Sequence, residues 1–285
     1  MKAVEKSRST GLASVQKVCS KMNLNRDAYY KSKERWATRK SEDSKVISLV
    51  KEERETQPRV GTYKLHKHLT NDFQRLGIKA GRDRLFDILR DNDMLVRRKK
   101  ASFKTTNSYH HFHKYSNLIK DIKITRPNQV WVSDITYIRT VKGFCYLALI
   151  TDLYSRKIVG YDVSDSLELA GCLRALQKAL ANSRPAVGLV HHSDRGIQYC
   201  SKQYVTKLQK RKIQISMTEE NHCYENAVAE RVNGILKDEF YLDQCFASTS
   251  HAKKATKCAI EIYNNKRLHL SLGLKTPEQV YSKVA

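Results

Sequence analysis

The sequence predicts an α/β protein, a mixed five-stranded sheet flanked by helices and preceded by an all-α helix-turn-helix region. Three observations predict it. Apolar, β-branched runs at 130–138, 144–152 and 157–163 are joined by Lys142-Gly143 and Ser155-Arg156, short enough for hairpins. Beyond residue 166, stretches of helical period alternate with short strand-like runs. Ahead of residue 97, the apolar residues recur at helical spacing.

In chain order, residues 12–36 suggest two short helices around the polar break Asn23-Leu24-Asn25, with Val15, Val18 and Met22 at helical spacing. Segment 1–40 thus has the outline of a small helix-turn-helix. Segment 41–96 is the better candidate. Ser41–Thr56 is one helix, with Val46, Ile47, Leu49 and Val50 apolar; Tyr63–Leu76 is a second, with Leu65, Leu69 and Phe73 near one stripe. Gly77 to Ala80 breaks it, and Gly81–Leu95 follows with Leu85, Ile88 and Leu89 inward and Arg82, Arg84 and Arg90 outward. A basic helix after a short turn suits the major groove of DNA, though a solvated basic face would look the same. Residues 97–128, opening with Arg97-Arg98-Lys99-Lys100, form a basic linker that either tracks phosphates or is merely solvated. Residues 129–285 hold the sheet and a helical C-terminal extension. There Leu167–Ala181 is a helix, Ala186–His191 a fourth strand, Ser201–Arg211 a helix, Ile213–Met217 a fifth strand, and Asn226–Phe240 and Ala252–Asn264 helices. That order matches the ribonuclease H-like fold.

Composition narrows the partner. The 285 residues carry 53 Lys+Arg against 29 Asp+Glu, a formal charge of +24. Such an excess points to a polyanion, with nucleic acid first. Residues 1–125 hold 30 of the cations and 14 of the acids, so the grip lies mainly in the front part. No basic helix has a continuous Trp/Phe/Leu face for a membrane surface, and no apolar stretch approaches the ~18 residues of a membrane span. The seven cysteines are scattered and odd in number, without a Cys-x-x-Cys pair, which fits a reducing cytoplasm and argues against a disulfide framework. The cluster His110, His111, His113 has no cysteine pair beside it, which weighs against structural zinc. The N-terminus shows no secretory leader pattern.

Three acids then stand out. Asp134 lies in the strand Val130-Trp131-Val132-Ser133-Asp134-Ile135-Thr136-Tyr137, where a buried carboxylate needs a metal, a cap or a cationic partner. Asp194 follows Leu189-Val190-His191-His192-Ser193 at a turn, and an ordinary turn residue would sit there too. Glu230 shares a helix face with Asn226, Asn233, Gly234 and Lys237, opposite Val228, Val232, Ile235 and Leu236, a pattern an ordinary surface helix also gives. Together, three carboxylates can pin two divalent cations, which stabilise the attacking and leaving oxygens of phosphodiester transfer.

The motifs resemble the catalytic subunit of bacterial insertion-sequence transposases, the product of the second of two overlapping frames, a family related to retroviral integrase. The resemblance rests on Pro127 to Tyr137, His192-Ser193-Asp194-Arg195-Gly196-Ile197-Gln198-Tyr199, Asn226-Ala227-Val228-Ala229-Glu230 with Leu236-Lys237, and Tyr263 to Leu272 ending at Thr276-Pro277. The segment Tyr63 to Arg98 resembles the helix-turn-helix ahead of that family's core. The resemblance implies a catalytic and metal-binding triad of Asp134, Asp194 and Glu230, with Asp134 bridging two Mg²⁺ (or Mn²⁺) ions and each other acid holding one. It implies cleavage at element ends and strand transfer on double-stranded DNA, terminal repeats and target alike. Lys237, Arg82, Arg84, Arg97, Arg98, Asn226 and Arg267 are the expected DNA contacts. A homo-oligomer on DNA, an upstream-frame partner protein and a place on the bacterial nucleoid follow from the same likeness. Glu225 replaces the aspartate that many relatives have before Asn226-Ala227, keeping the charge, and the helical front end stands where integrases have a zinc module. Two rivals remain: a DNA-binding regulator that has lost catalysis, and a nuclease that only hydrolyses.

Overall fold

The computed structural model describes residues 14–97, 112–120, 122–183, 185, 187–219 and 226–283. They gather into two compact units, Met1–Glu55 with Gly61–Val96, and Thr56–Val60 with Arg97–Ala285.

The first unit is helical. Ser14 caps α1 (Val15–Lys21) by accepting from Lys17 N, and the chain breaks at Asn23 with φ 53°. The Asn25 side chain then accepts from Asp27 N and opens α2 (Arg26–Thr56). Cys19 and Tyr29 are buried together across that break. The sequence reading has separate helices on either side of residues 37–40, yet α2 runs through them for 31 residues. Ala37-Thr38-Arg39-Lys40 contains no Gly or Pro, so nothing ends the helix there. In α3 (Thr62–Arg75), Leu65, Leu69 and Phe73 repeat every four residues and are buried; α4 (Arg82–Asp91) buries Leu85, Ile88 and Leu89. The turn between them needs Gly77, whose φ of 65° lets Ile78 N reach back to Phe73 O.

The second unit carries the sheet: β1 (Val130–Thr140), β2 (Gly143–Asp152), β3 (Ile158–Ser164), β4 (Val190–Ser193) and β5 (Gln214–Met217). Its order is β3-β2-β1-β4-β5, with the first three strands antiparallel and β4 and β5 parallel to β1. Alternating side chains build two cores. On one face Trp131, Ile150 and Val159 pack with α5 (Leu169–Ser183) and α7 (Lys202–Lys210); a short α6 (Ile197–Cys200) adds Tyr199 and Cys200. On the other, Ile138, Leu147 and Leu149 meet α8 (Ala227–Glu239) and α9 (Thr249–Asn265). At Gly160 the β3 backbone lies so close to α5 that a Cβ would fall 2.4 Å from Ala175 O. This is the ribonuclease H-like arrangement the sequence predicts.

One strand is displaced. The expected fourth strand begins at Ala186, which lies outside the described residues, but Val187 is 77% exposed and Gly188 sits at φ 98°, so this apolar run is a turn. The strand is Val190–Ser193, and both of its histidines make buried hydrogen bonds. His191 Nε2 is 2.7 Å from Ser133 Oγ and 3.0 Å from Tyr204 Oη, and His192 Nδ1 is 2.8 Å from Ser216 Oγ. Hydrogen-bonded histidines replace the apolar residues that strand patterns reward.

The C-terminal motif fastens the fold. Asn264 pairs with both backbone groups of Ile158, and Tyr263 Oη donates to Arg156 O. Thr276 and Gln279 form a capping box that starts α10 (Pro277–Tyr281), whose Tyr281 Oη donates to Asn128 Oδ1. Lys157 pairs with Glu278 at 2.6 Å and lies over the Tyr281 ring.

Candidate active site

The parallel pairing of β1 with β4 ends at Ser133 opposite Ser193. Asp134, the next residue of β1, and Asp194, the first residue after β4, therefore emerge side by side where β4 stops pairing with β1. Open α/β sheets bind ligands beyond the carboxyl ends of their strands, where β4 ends here. Glu230 stands in the first turn of α8, exposed to solvent.

Asp134 Oδ2 accepts from Asn233 Nδ2 at 2.7 Å, and its Oδ1 accepts from Ile135 N at 2.9 Å. Even so, burial pushes the Asp134 carboxyl up to about 7, and the charges of Asp194 and, more weakly, Glu230 push the same way against those two hydrogen bonds. Asp134 therefore sits in the field of both other acids. Asp194 Oδ1 accepts from Gly196 N at 3.0 Å, and a Cβ on Gly196 would come within 2.9 Å of that oxygen. Behind the acids, burial lowers the His191 imidazole to about 3, so it stays neutral and serves as a strand-to-strand tie.

The donor set suits a hard cation. It consists of carboxylates, with two buried amide oxygens, Asn226 Oδ1 and Asn233 Oδ1, that have no hydrogen-bond partner among the described residues. Among those residues no three His, Cys, Asp or Glu side chains are already drawn into one metal cage. Of the histidine cluster, His110 and His111 lie outside the described residues, and His113 stacks edge-on against Tyr115.

The other expected contacts divide. Arg82 is exposed and paired with Asp83 at 2.9 Å; Arg97 is exposed, with its carbonyl accepting from Arg59; Arg98 and Glu225 lie outside the described residues. Lys237 is half-buried, its Nζ 4.3 Å from the centre of the Tyr137 ring. Burial pulls its ammonium down, Asp134 and Asp243 pull it back, and Arg139 adds to the lowering. Asn226 is buried, donating to Ser133 O at 3.1 Å. Two of the expected contacts turn inward, against the outward reading of Arg84. Arg84 turns inward and holds both Glu42 and Asp43 at 2.9 Å, because those acids on α2 offer it a pair. Arg267 is 3% exposed and grips Glu239 through Nε and Nη2. Sequence reasoning also missed the Asn233 bond to Asp134. The shared helix face of Glu230 and Asn233 was its only signal.

No helix among the described residues is long and apolar enough to cross a membrane. The family profile of the integrase core domain matches residues 124–223, and a second profile of the same description matches residues 211–277. The chain is 35% identical over 270 residues to the insertion element IS600 uncharacterized 31 kDa protein of Shigella sonnei, covering 91% of this chain and 96% of that one. It is 39% identical over 154 residues to the transposase for insertion sequence element IS629 of Shigella sonnei, covering 54% of this chain and 52% of that one. Among solved structures it is similar to the HTLV-2 integrase catalytic core domain in complex with magnesium, at 19% identity and a TM-score of 0.44, covering 55% of this chain and 97% of that one. Near full-length likeness to an insertion-element protein, and an integrase core spanning the sheet and its acids, give the conclusion that this chain belongs to the family of bacterial insertion-sequence transposases built on an integrase core domain.

Proposed function

We propose that the chain is a polynucleotidyl transferase that cuts DNA at the ends of an insertion sequence and joins the freed 3′ hydroxyls to target DNA. The observation that carries this reading is the adjacency of Asp134 and Asp194 where the parallel pairing of β1 with β4 stops, with Glu230 near enough to add to the field on Asp134. Two bound Mg²⁺ (or Mn²⁺) ions would supply charge neutralisation at the attacking and leaving oxygens. Asp134 would be shared between them, with Asp194 and Glu230 each completing one. Asn233 orients the Asp134 carboxylate, and Lys237 offers donors to a phosphate beside it. Arg82, Arg97 and Arg98 add phosphate contacts, α3 and α4 act as a helix-turn-helix on the terminal repeats, and Arg84, Arg267 and Asn226 hold these parts from within. The nucleophile is water in the first step and the 3′ hydroxyl in the second, so the reading requires no covalent intermediate on the protein. A homo-oligomer that brings two ends together, assisted by an upstream-frame partner, would work on nucleoid DNA in the cytoplasm.

The test is a strand-transfer assay with the element's own terminal sequence. Nicked ends and joined products that depend on Mg²⁺ or Mn²⁺ are expected. Nicks without joined product would leave a hydrolytic nuclease. DNA binding without product, with or without the upstream-frame protein, would leave a regulator.

The Asp134 carboxyl also sets a pH dependence. Its folded value of about 7 stands above the ~3.9 of an unfolded aspartate. Its contribution is thus fully present below about pH 4 and is lost as pH rises through about 7, on the order of 2–4 kcal/mol. Metal-free protein should melt lower at pH 8 than at pH 5. Asp134→Asn should flatten that difference, and Mg²⁺ should raise the wild-type melting temperature more at pH 8 than at pH 6. An unchanged slope in the variant would show that other groups set it.

A further inference from the structure

Among the described residues, β1 has no strand on its β4 side beyond Ser133 until Phe246, whose N–H donates to Arg139 O and whose carbonyl accepts from Val141 N. Residues 134–138 therefore border an open edge of the sheet. Asp134 and Tyr137 alternate to opposite faces of β1, yet both touch α8, Asp134 through Asn233 and Tyr137 through Lys237. Only an open edge allows one helix to reach both faces. The Tyr137 ring is met edge-on by Phe144, with centroids 5.4 Å apart and planes at 82°. Phe144 is half exposed on the strand beside it, and this buttress gives it a role there. Among the described residues the Lys237 ammonium makes no hydrogen bond or ion pair, so the ring face is its close partner. Its three donors stay available.

We propose that Tyr137 is a positioning residue for Lys237: its ring, braced by Phe144, holds the ammonium beside the carboxylates with all three donors free for a DNA phosphate. The proposal rests on the reading of Lys237 as a DNA contact. A ring face holds a cation without consuming its donors, whereas an acid partner would compete with the phosphate. A tyrosine also keeps the cation from pairing with Asp134 itself and occupying a metal ligand.

The test is the affinity of the full chain for a fluorescent duplex of the element's terminal sequence, without divalent ions, read as a double-mutant cycle. Tyr137→Phe keeps the ring and should bind within about twofold of wild type. Tyr137→Leu should weaken binding about three- to tenfold, the range of a lost cation–π contact. Lys237→Ala should weaken it further and lower the slope of log affinity against log salt by about one. In the Lys237→Ala background, Tyr137→Leu should cost nothing more. Phe144→Ala, altering a half-exposed residue, gives the same cycle should Tyr137→Leu fail to fold. Additive losses, equal losses in Tyr137→Phe and Tyr137→Leu, or wild-type affinity in Lys237→Ala would each overturn the proposal. Catalysis is not involved, so failure of the two-metal reading would leave this cycle intact.

Discussion

Asp194→Asn is expected to remove metal-dependent cutting and joining, by roughly a thousandfold or more, while leaving the fold and DNA affinity in place. The asparagine keeps the side-chain oxygen that accepts from Gly196 N, so the turn after β4 is retained. What is lost is one negative charge where a divalent ion would be held. Metal stabilisation of the transition state amounts to several kcal/mol, and each 1.4 kcal/mol or so is a factor of ten in rate. Asp134→Asn should lose as much activity yet gain stability at neutral pH, because the carboxylate it replaces is half-buried beside like charges. Glu230→Gln alters an exposed side chain and should be silent in stability while equally inactive. Joined and nicked products on gels, beside melting curves for each variant, check all three. Residual product within tenfold of wild type from Asp194→Asn would reject the triad.

The placement of the three acids was legible because its signals are local. Strand alternation around Asp134, a turn after Ser193, and the Glu230 face of α8 are properties of short windows. The turn that replaces the expected start of β4 was illegible for a related reason. Val187 and Val190 look alike in a pattern, but only Val190 has β1 beside it. The continuous α2 reflects the weakness of polar stretches as helix stops when no Gly or Pro is present. The arginines failed differently. Charge pattern turned Arg84 outward and the family likeness made Arg267 a DNA contact, whereas Arg84 meets acids some forty residues away and Arg267 meets one 28 residues away. Which cation finds an acid is a tertiary fact. The pairing of Lys237 with Tyr137 is more remote still, since it depends on β4 stopping at Ser193, opposite Ser133.

Arg267→Ala is expected to destabilise the core by about 2–3 kcal/mol, the cost of removing a buried guanidinium and its two charge-assisted hydrogen bonds to a part-exposed carboxylate. Glu239 is the last residue of α8, where the helix dipole disfavours an acid and the guanidinium compensates it. Nε and Nη2 meet the two carboxylate oxygens at 2.8 and 2.5 Å, and Arg267 also lies 5.9 Å from the Tyr263 ring centre. A lysine cannot reproduce that two-point grip, so Arg267→Lys should recover only part of the loss. The double change Arg267→Met with Glu239→Gln removes both charges and should be more stable than Arg267→Ala. Urea unfolding of the four proteins measures this directly. The effect matters for function because α8 also carries Glu230, Asn233 and Lys237, and loosening its C-terminal end would misplace the third acid relative to Asp134. Activity should therefore fall in Arg267→Ala along with stability and return with the double change. Arg267→Ala with an unchanged urea midpoint and weakened DNA binding would instead identify the arginine as a contact to the nucleic acid, and the buried pair as secondary.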